Sequence, residues 1–476
     1  SGVRASAARK RSGAGATSYA IPAGGVTPGN ANALVPGTFN LCDPNTSQDL
    51  LPQQERNGAL ITFNQDITDG WSINASAFGT KREFENYVSY QTATLSVPTT
   101  NAFFVSPPGA TLTACPGSAG VPAGTLCETV QYSFSNDDPL RQNKGFSESV
   151  QATVGTTIEL PAEWQLNIDY TYGRNEDEAR NPLIAQAPLA AALRSGDPAT
   201  ALNPFGGPNN AAVIANIFSG LQLAQGTTNM HVMEAAVSGR LFDLPGGAVR
   251  LAAGYEGQRY NYATGVNGAF RHFERDVDSG YLEVLLPIVG DGNAVTGIRA
   301  LTLNVAARYD DYSDVGDTTN PKYGLDWKPT DSLTFRASYG ESFRAPGIAQ
   351  IYGNTSRLYV QNYADPTIGG QLRIGATLSG GNLNLKPETS QATTFGVEYA
   401  PEFLPGFRGS LTYFDIDYDG QVVQFLQDLT ILNREADFAG TGIIVRNPDQ
   451  AMIAELAQLG VTGVLPPVVT LFVDGR

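Results

Sequence analysis

Polar and apolar residues alternate along this chain in runs of about ten residues, and turn-forming residues separate the runs. In residues 301–310, Leu301 and Val305 fall on one face of an extended strand, whereas Thr302 and Asn304 fall on the other. The same pattern recurs in residues 71–77, 164–172 and 332–339. A run of this length and period is what a tilted, membrane-spanning β-strand requires.

The runs group into six predicted hairpins, each closed by a short turn of Gly, Pro or Asp residues. The predicted hairpins are 58–67 with 70–80, 146–160 with 163–173, 231–243 with 247–260, 276–287 with 298–310, 320–328 with 332–340, and 391–400 with 406–418. Of the connections between hairpins, 81–145, 174–230, 341–390 and 419–468 are long, and 261–275 and 311–319 are shorter. In a meander, this alternation places short turns at one end and long loops at the other, as in outer-membrane barrels.

The aromatic residues favour the same architecture. Trp71, Trp164 and Trp327 all flank short turns, and several tyrosines lie near the opposite strand ends. Two belts of amphipathic aromatics mark the two lipid–water boundaries of a membrane barrel. A soluble β-sandwich is the alternative, but it explains neither the belts nor the asymmetry of the connections. No run of about 18 apolar residues predicts a transmembrane helix.

Charge and motif content exclude several functions. The net charge of −16 argues against a nucleic-acid partner, because phosphate binding requires a basic surface. The sequence contains no phosphate-binding Gly loop, no nucleophile elbow and no zinc-protease motif, so we expect no catalytic residues and no enzyme. The few Cys and His residues are scattered, which predicts neither a metal site nor a cofactor.

The cysteines allow two interpretations. Cys115 and Cys127 lie twelve residues apart in a stretch rich in Gly, Pro, Ser and Thr, which favours a loop disulfide formed in an oxidising compartment. A pair of free loop thiols is the alternative. Cys42 is left without an assigned partner.

Charged residues on the polar strand faces are the candidates for ligand binding. An Arg facing lipid near the bilayer centre would cost about 2–4 kcal/mol, so these side chains are expected to face the lumen. The candidates are Glu256, Gln258, Arg308, Arg336 and Arg344. Solvation of the lumen wall and cross-strand pairing are the alternative roles for each of them.

Three segments together resemble the TonB-dependent outer-membrane receptors. Residues 308–329 begin Arg-Tyr-Asp-Asp-Tyr, residues 333–346 end Ser-Phe-Arg-Ala-Pro, and residues 384–390 read Asn-Leu-Lys-Pro-Glu-Thr-Ser. The resemblance implies an importer that binds scarce cargo, such as an iron–siderophore complex, cobalamin or an oligosaccharide, at the outer face of the membrane. It also implies that the TonB complex of the inner membrane supplies energy through an N-terminal plug.

The chain departs from that family at both ends. Residues 1–57 form a loop-rich segment in which no plug or TonB box is recognised, and residues 58–418 hold the predicted barrel strands. Residues 419–476 predict a long loop, a short helix that begins near Asn447 and ends at Gly460, and the start of a further strand at Val469. The expected fold is therefore all-β: a partial, antiparallel up-and-down transmembrane barrel of about 12–14 strands without its plug.

The sequence thus favours a receptor in the bacterial outer membrane that takes up a small-molecule or oligosaccharide cargo with TonB coupling. A passive porin-like channel is one alternative. A soluble, secreted β-protein that binds glycans is another.

Overall fold

The computed structural model describes most of the chain. The described residues are 9–10, 18–41, 43, 45–110, 112–115, 122, 124–135, 137, 141–353, 357–426, 428–459, 461–462 and 468–475. Cys42 lies outside them. None of the helices in this part of the chain is long and apolar enough to cross a membrane.

Twelve antiparallel strands form one large sheet in which neighbours in sequence are neighbours in space. They are β1 Gln53–Thr68, β2 Trp71–Tyr87, β3 Gln142–Leu160, β4 Trp164–Leu183, β5 Gly220–Leu244, β6 Gly247–Val266, β7 Ala269–Val289, β8 Ala300–Tyr312, β9 Gly316–Thr330, β10 Leu333–Arg344, β11 Glu388–Tyr399 and β12 Gly409–Asp419. All six predicted hairpins are present. Within the described residues, β1 and β12 do not pair with each other, so this sheet is part of a barrel wall.

The two faces of the wall differ as the alternation predicts. Val305 and Phe335 lie among the exposed large apolar side chains of the wall, on the face that also carries Trp71 and Trp327. Trp327 stacks on Phe335 near a short turn, and Tyr323 stacks on Tyr339 further along the same strands. These side chains form an apolar outer surface with an aromatic belt at each side, as a lipid-facing wall requires.

Two predicted connections are shorter than expected, because the strands continue beyond the bilayer. Residues 261–275 contain only a two-residue turn, Asn267-Gly268, and residues 311–319 contain a three-residue turn at 313–315. Asn267 and Gly268 both have positive φ, the geometry of a type I′ hairpin. Outside the membrane both faces of a strand contact water, so polar and apolar residues no longer alternate. The backbone hydrogen bonds between the strands nevertheless continue there. Conversely, 290–299 and 400–408, at the opposite end, are longer than tight turns.

A first loop assembly lies on the long-loop side of the wall. It consists of residues 18–34 and the connections 88–141 and 184–219, and includes helices α1 Gln186–Arg194 and α2 Ala211–Ile217. Small strands at Thr92–Pro98, Thr113–Ala114 and Leu126–Ser133 pair in its sheet with Arg9–Lys10. Its core includes Phe134, Leu202 and Ile217, all fully buried. A disulfide joins Cys115 to Cys127 within it.

The connection 345–387 contains helix α3 Ile348–Tyr352 and part of a second loop assembly, which comprises residues 357–379 and 420–475. Strands Arg357–Asp365, Gln371–Ser379, Ile444–Arg446, Val461–Thr462 and Leu471–Asp474 form its sheet, and helix α4 Gln450–Ala457 packs on it. Two corrections to the expectations arise here. Leu471–Asp474 is a strand, but it pairs in this loop sheet and not in the barrel wall, because its buried residues complete the loop core. Helix α4 begins at Gln450 and not near Asn447, and it ends at Ala457, before Gly460; its N-cap is Asp449, whose side chain accepts a hydrogen bond from the Ala451 amide.

Candidate functional site

A cavity of about 950 Å³ lies against the inner face of β6 to β10. Most of its wall residues, such as Gln258, Arg308 and Lys322, lie on the strand face opposite to the lipid-facing apolar side chains. Four basic residues line the cavity, together with four tyrosines and Phe343: Arg275, Arg308, Lys322, Arg344, Tyr260, Tyr262, Tyr281 and Tyr312. The acidic lining residues are Glu283, Asp310 and Glu341. The cavity is therefore slightly basic in a chain whose net charge is −16.

The cavity exists because β9 and β10 separate at the end of the strands that lies nearest the long loops. Their pairing stops at Lys322 and Gly340, whereas β10 continues to pair with β11 as far as Arg344 and Glu388. The freed end of β10 carries Phe343 and Arg344 to the cavity, where the Phe343 ring meets the Tyr312 ring edge-on at 5.7 Å. The local departure of one strand thus opens a binding space in an otherwise continuous wall.

Arg308 is the centre of a charged network in the wall. Its guanidinium donates to Glu256 Oε1 at 2.9 Å and to Asp310 Oδ1 at 2.8 Å. Ser279 Oγ also donates to Asp310 Oδ1, at 2.6 Å, and the Gln258 amide donates to Glu256. Asp310 is only 2 % exposed. Charge-assisted contacts of this kind fix the Arg308 side chain in one orientation.

Arg275 attaches the connection after β10 to the wall. It donates to both carboxylate oxygens of Asp314, at 2.8–3.0 Å, and to the Pro346 carbonyl at 2.8 Å. Four residues earlier on β7, Arg271 donates to the Gly353 carbonyl at 2.8 Å. Helix α3, between these two anchors, supplies Ile348 and Ala349 to the cavity wall. The cavity is thereby bounded on its loop side by a fixed segment.

The structure separates the five candidate ligand-binding residues into three groups. Gln258, Arg308 and Arg344 line the cavity. Glu256 does not line it but holds Arg308 in place. Arg336 is outside the cavity lining: it forms ion pairs with Asp326 at 3.0 Å and with Glu398, further toward the short turns. Arg336 and Glu256 thus have the alternative role considered above, an ion pair with a residue on another strand.

Sequence reasoning did not select the four tyrosines, Arg275 or Lys322. Alternation contained the signal for most of them, because Tyr260, Tyr262 and Tyr312 share a face with Gln258 and Arg308. Extending each predicted strand by a few residues would have brought this row together. Lys322 could not be selected from the sequence for another reason. It lies where the pairing of β9 and β10 stops, and that point depends on the register of the two strands.

The described residues show no group of three or more His, Cys, Asp or Glu side chains that could hold a metal ion. The aspartates at 310–317 are divided among different roles. Asp310 is in the Arg308 network, Asp314 binds Arg275, and Asp311 lies on the outer face, opposite Asp278 in the strand register. His231 also lies on the outer face, where its Nδ1 is 2.7 Å from the Tyr170 hydroxyl.

Comparison with known proteins agrees with this architecture. Residues 70–447 match the family described as TonB dependent receptor-like, beta-barrel. Heme/hemopexin utilization protein C of Haemophilus influenzae (strain 86-028NP) is 27 % identical over 183 residues, which are 36 % of this chain and 22 % of that protein.

The solved structures that this chain matches include two receptors. The siderophore receptor PirA from Acinetobacter baumannii has 16 % identity and a TM-score of 0.47, over 78 % of this chain and 44 % of PirA. The ferripyoverdine receptor of the outer membrane of Pseudomonas aeruginosa has 13 % identity and a TM-score of 0.42, over 78 % of this chain and 43 % of that receptor. The chain thus spans less than half the length of these relatives.

Because the family match covers more than half of its residues, the chain belongs to the TonB-dependent receptors and contains part of their β-barrel. It is a protein of the Gram-negative outer membrane and not an enzyme. The alternative of a soluble, secreted β-protein is wrong, since the apolar outer face of the wall requires a bilayer.

Proposed function

We propose that this chain forms the ligand-binding part of the barrel of an energy-coupled importer, and that its cargo is an anionic iron–siderophore complex. The observation that carries the proposal is the slightly basic, tyrosine-lined cavity in a strongly acidic chain. Local potential, and not net charge, decides which ligand a cleft attracts.

Two of the four basic residues are available to a ligand. Arg275 and Arg308 are occupied by Asp314, Glu256 and Asp310. Lys322 is exposed, and among the described residues it forms no ion pair. Arg344 contacts Glu388 at 3.2 Å, but 65 % of its side chain remains exposed. Glu388 is buried and also accepts hydrogen bonds from the Tyr418 hydroxyl and the Val422 amide, so the exposed part of the Arg344 guanidinium is free to bind an anionic ligand.

The aromatic lining favours a cargo with planar rings. Tyr260, Tyr262 and Tyr312 line the cavity beside the basic groups, and tyrosine rings stack well on catecholate or related rings. The histidines do not support heme as the cargo. Both histidines lie on the outer face of the strands, His231 beside Tyr170 and His272 opposite Ala263, so neither is placed to ligate a heme iron in the cavity.

Ligand binding by the full-length receptor tests the proposal. Isothermal titration would compare a ferric tricatecholate, which is strongly anionic, with an uncharged ferric trihydroxamate. The double variant Lys322→Gln/Arg344→Gln should weaken binding of the tricatecholate at least tenfold. Arg336→Gln is the matched control, because Arg336 faces the same lumen outside the cavity. Equal losses in the two variants, or wild-type affinity in the double variant, would refute the assigned site.

Energy coupling through TonB, by way of a plug, is part of the proposal and separates it from the passive channel. Cells that express the full-length receptor should lose cargo accumulation when the inner-membrane potential is dissipated. Surface binding of the cargo should persist under the same conditions. Accumulation that continues without the potential would favour the channel.

A further inference from the structure

The barrel wall has a fork between β9 and β10, which begins just beyond their last pair, Lys322 and Gly340. Within the described residues, β9 bonds only to β8 from there to Gly316, and β10 bonds only to β11 from there to Arg344. The backbone groups that the two strand ends turn toward the fork are therefore unpaired in the sheet. Such groups are not tolerated in hydrocarbon, so the fork is an opening in the wall and not a continuation of it.

The sequence places the fork through Pro321. The Ser313 amide, just after β8, donates to the Asp276 carbonyl of β7 at 3.0 Å. Successive residues of a strand bond alternately to its two neighbours, so even-numbered residues of β8, such as Ala306, bond to β9. Lys322 is opposite Ala306, so the adjacent residue, Pro321, faces β10. Proline has no N–H, and the next hydrogen bond toward β10 therefore cannot form.

The fork lies at the aromatic belt nearest the long loops. On the lipid-facing side, the rings of Tyr323 and Tyr339 stack 6.4 Å apart immediately before it. Leu325 and Phe335 follow on the same side, toward the short turns, and both are exposed apolar side chains of the wall. Tyrosines at this position mark a lipid–water boundary. The fork thus opens where the acyl chains of the outer leaflet meet their headgroups.

The cavity described above reaches the fork. Four consecutive residues of β10, Glu341 to Arg344, line the cavity, so both faces of the freed strand end contact it. By alternation, Glu341 and Phe343 share the lipid-facing side with Tyr339. Lys322, one of the two basic residues available to a ligand, belongs to the last pair before the fork. A ligand bound at Lys322 therefore lies beside an opening toward lipid.

The loop side of the cavity is covered by the segment that contains α3. Arg275 holds this segment by the Pro346 carbonyl and Arg271 holds it by the Gly353 carbonyl, both at 2.8 Å. An appendage of the ligand that is too long for the cavity is thereby directed to the fork. An apolar appendage that leaves there meets the lipid-facing side of the wall.

We propose that the cargo carries a fatty acyl chain, which passes through the fork into the outer leaflet while the iron chelate occupies the cavity. This inference rests on the proposed function, because the chelate has to bind at Lys322 and Arg344. The chelate requires basic groups and the chain requires hydrocarbon. The fork lets one molecule satisfy both requirements at once.

Equilibrium binding to the full-length receptor in lipid nanodiscs tests the proposal. The two probes are a ferric tricatecholate and the same chelate with a dodecanoyl chain attached. Wild type should bind the acylated chelate about tenfold more tightly than the plain one, because the chain is buried in lipid. Glu341→Trp, which places a ring in the fork, should abolish this gain. Pro321→Thr restores an N–H toward β10 and should lower the gain without an added ring, so it serves if Glu341→Trp does not fold.

Asp417→Trp is the matched control. Glu341, Gln391 and Asp417 lie opposite one another in the strand register. Asp417→Trp therefore replaces an acid by the same ring at the same height, two strands from the fork, and should keep the wild-type gain. Glu341→Gln removes the charge without filling the fork, and should also keep the gain.

An equal gain in wild type, in the control and in both fork variants would indicate partition of the chain into the membrane only, and would overturn the proposal. Absence of a gain in wild type would overturn it as well. If wild type bound neither probe, the proposed cargo would be wrong and the acyl chain with it. Binding of the plain chelate without a fork-dependent gain would refute the acyl chain alone.

Discussion

The barrel wall and the loop assemblies are stabilised in different ways. In the wall, large apolar side chains such as Phe335 point away from the protein, and no second layer covers them within the described residues. In the loop assemblies, side chains such as Phe134 and Leu471 are fully buried in cores of their own. The wall relies on its hydrogen-bond ladder and on lipid, whereas the loops fold as water-soluble domains do.

The largest expected difference concerns two phenylalanines. Phe134→Ala should destabilise the first loop assembly by about 3–5 kcal/mol, because it leaves a cavity between Tyr132 and Phe218. Phe335→Ala should cost much less, since Phe335 is 37 % exposed and lipid can fill the space. Hydrogen exchange measured on peptides covering 126–134 and 333–344 reports the two regions separately. Similar losses in both would contradict the comparison.

A buried ion network distinguishes the second loop assembly. Asp365 is fully buried and accepts hydrogen bonds from Arg446 at 2.9 and 3.1 Å, and also from Arg373. Arg446→Met should cost about 3–5 kcal/mol, because it leaves the carboxylate without one of its partners in a buried site. Urea-dependent exchange of peptides within 357–379 is the measurement. Arg434→Met, which removes an exposed pair with Asp428, is the control and should change little.

The wall should be sensitive to charge on one face only. Val305→Arg places a cation in the lipid-facing belt midway between Leu301 and Tyr309, and should cost about 2–4 kcal/mol. Asn304→Arg, one residue earlier, points to the wet face beside Glu283 and should be tolerated. Folding into lipid vesicles, followed by fluorescence of the three wall tryptophans, compares them. Equal penalties would show that 304 and 305 do not face different media.

The two loop assemblies should respond to pH in opposite directions. The hydrogen bonds from Arg446 and Arg373 hold the pKa of Asp365 far below its usual value, despite burial. That contribution to stability is present above about pH 4 and is lost as pH falls toward the depressed pKa. Burial, with Asp137 nearby, raises the pKa of Tyr132 in the first assembly. Its contribution is present below about pH 10 and is lost as pH rises.

Proteolysis of the loop assemblies at pH 3 and at pH 10.5 checks this prediction. The second assembly should open first in acid and the first assembly first in alkali. Asp365→Asn and Tyr132→Phe should each remove the corresponding pH dependence. An order of opening that does not change between the two pH values would contradict the assignment.

The smallest expected effect is that of the disulfide. Reduction of Cys115–Cys127 should cost the first loop assembly about 2 kcal/mol, because the bond closes a short loop of twelve residues. The second assembly should be unaffected. Exchange of peptides from both assemblies, with and without reductant, makes the comparison. Destabilisation of both would indicate that the assemblies are coupled.

Much of the wall could be predicted from the sequence, because each strand obeys a local rule. The period of two in residues 301–310 reports lipid on one side and water on the other, and it needs no knowledge of distant residues. The same rule placed Arg308 and Gln258 on the inner face. Asn267-Gly268 carried a hairpin signal of its own, because Asn-Gly is the preferred pair for a type I′ turn.

Only the tertiary structure decided what these local elements build. The cavity depends on the register at which β9 and β10 part. The strand Leu471–Asp474 belongs to a loop sheet because it pairs with Gln371–Ser379, about a hundred residues earlier, and with Ile444–Arg446. The alternation within a strand depends only on lipid at one face and water at the other, whereas a binding site is formed by residues that are distant in sequence. Their meeting depends on the pairing of the whole sheet.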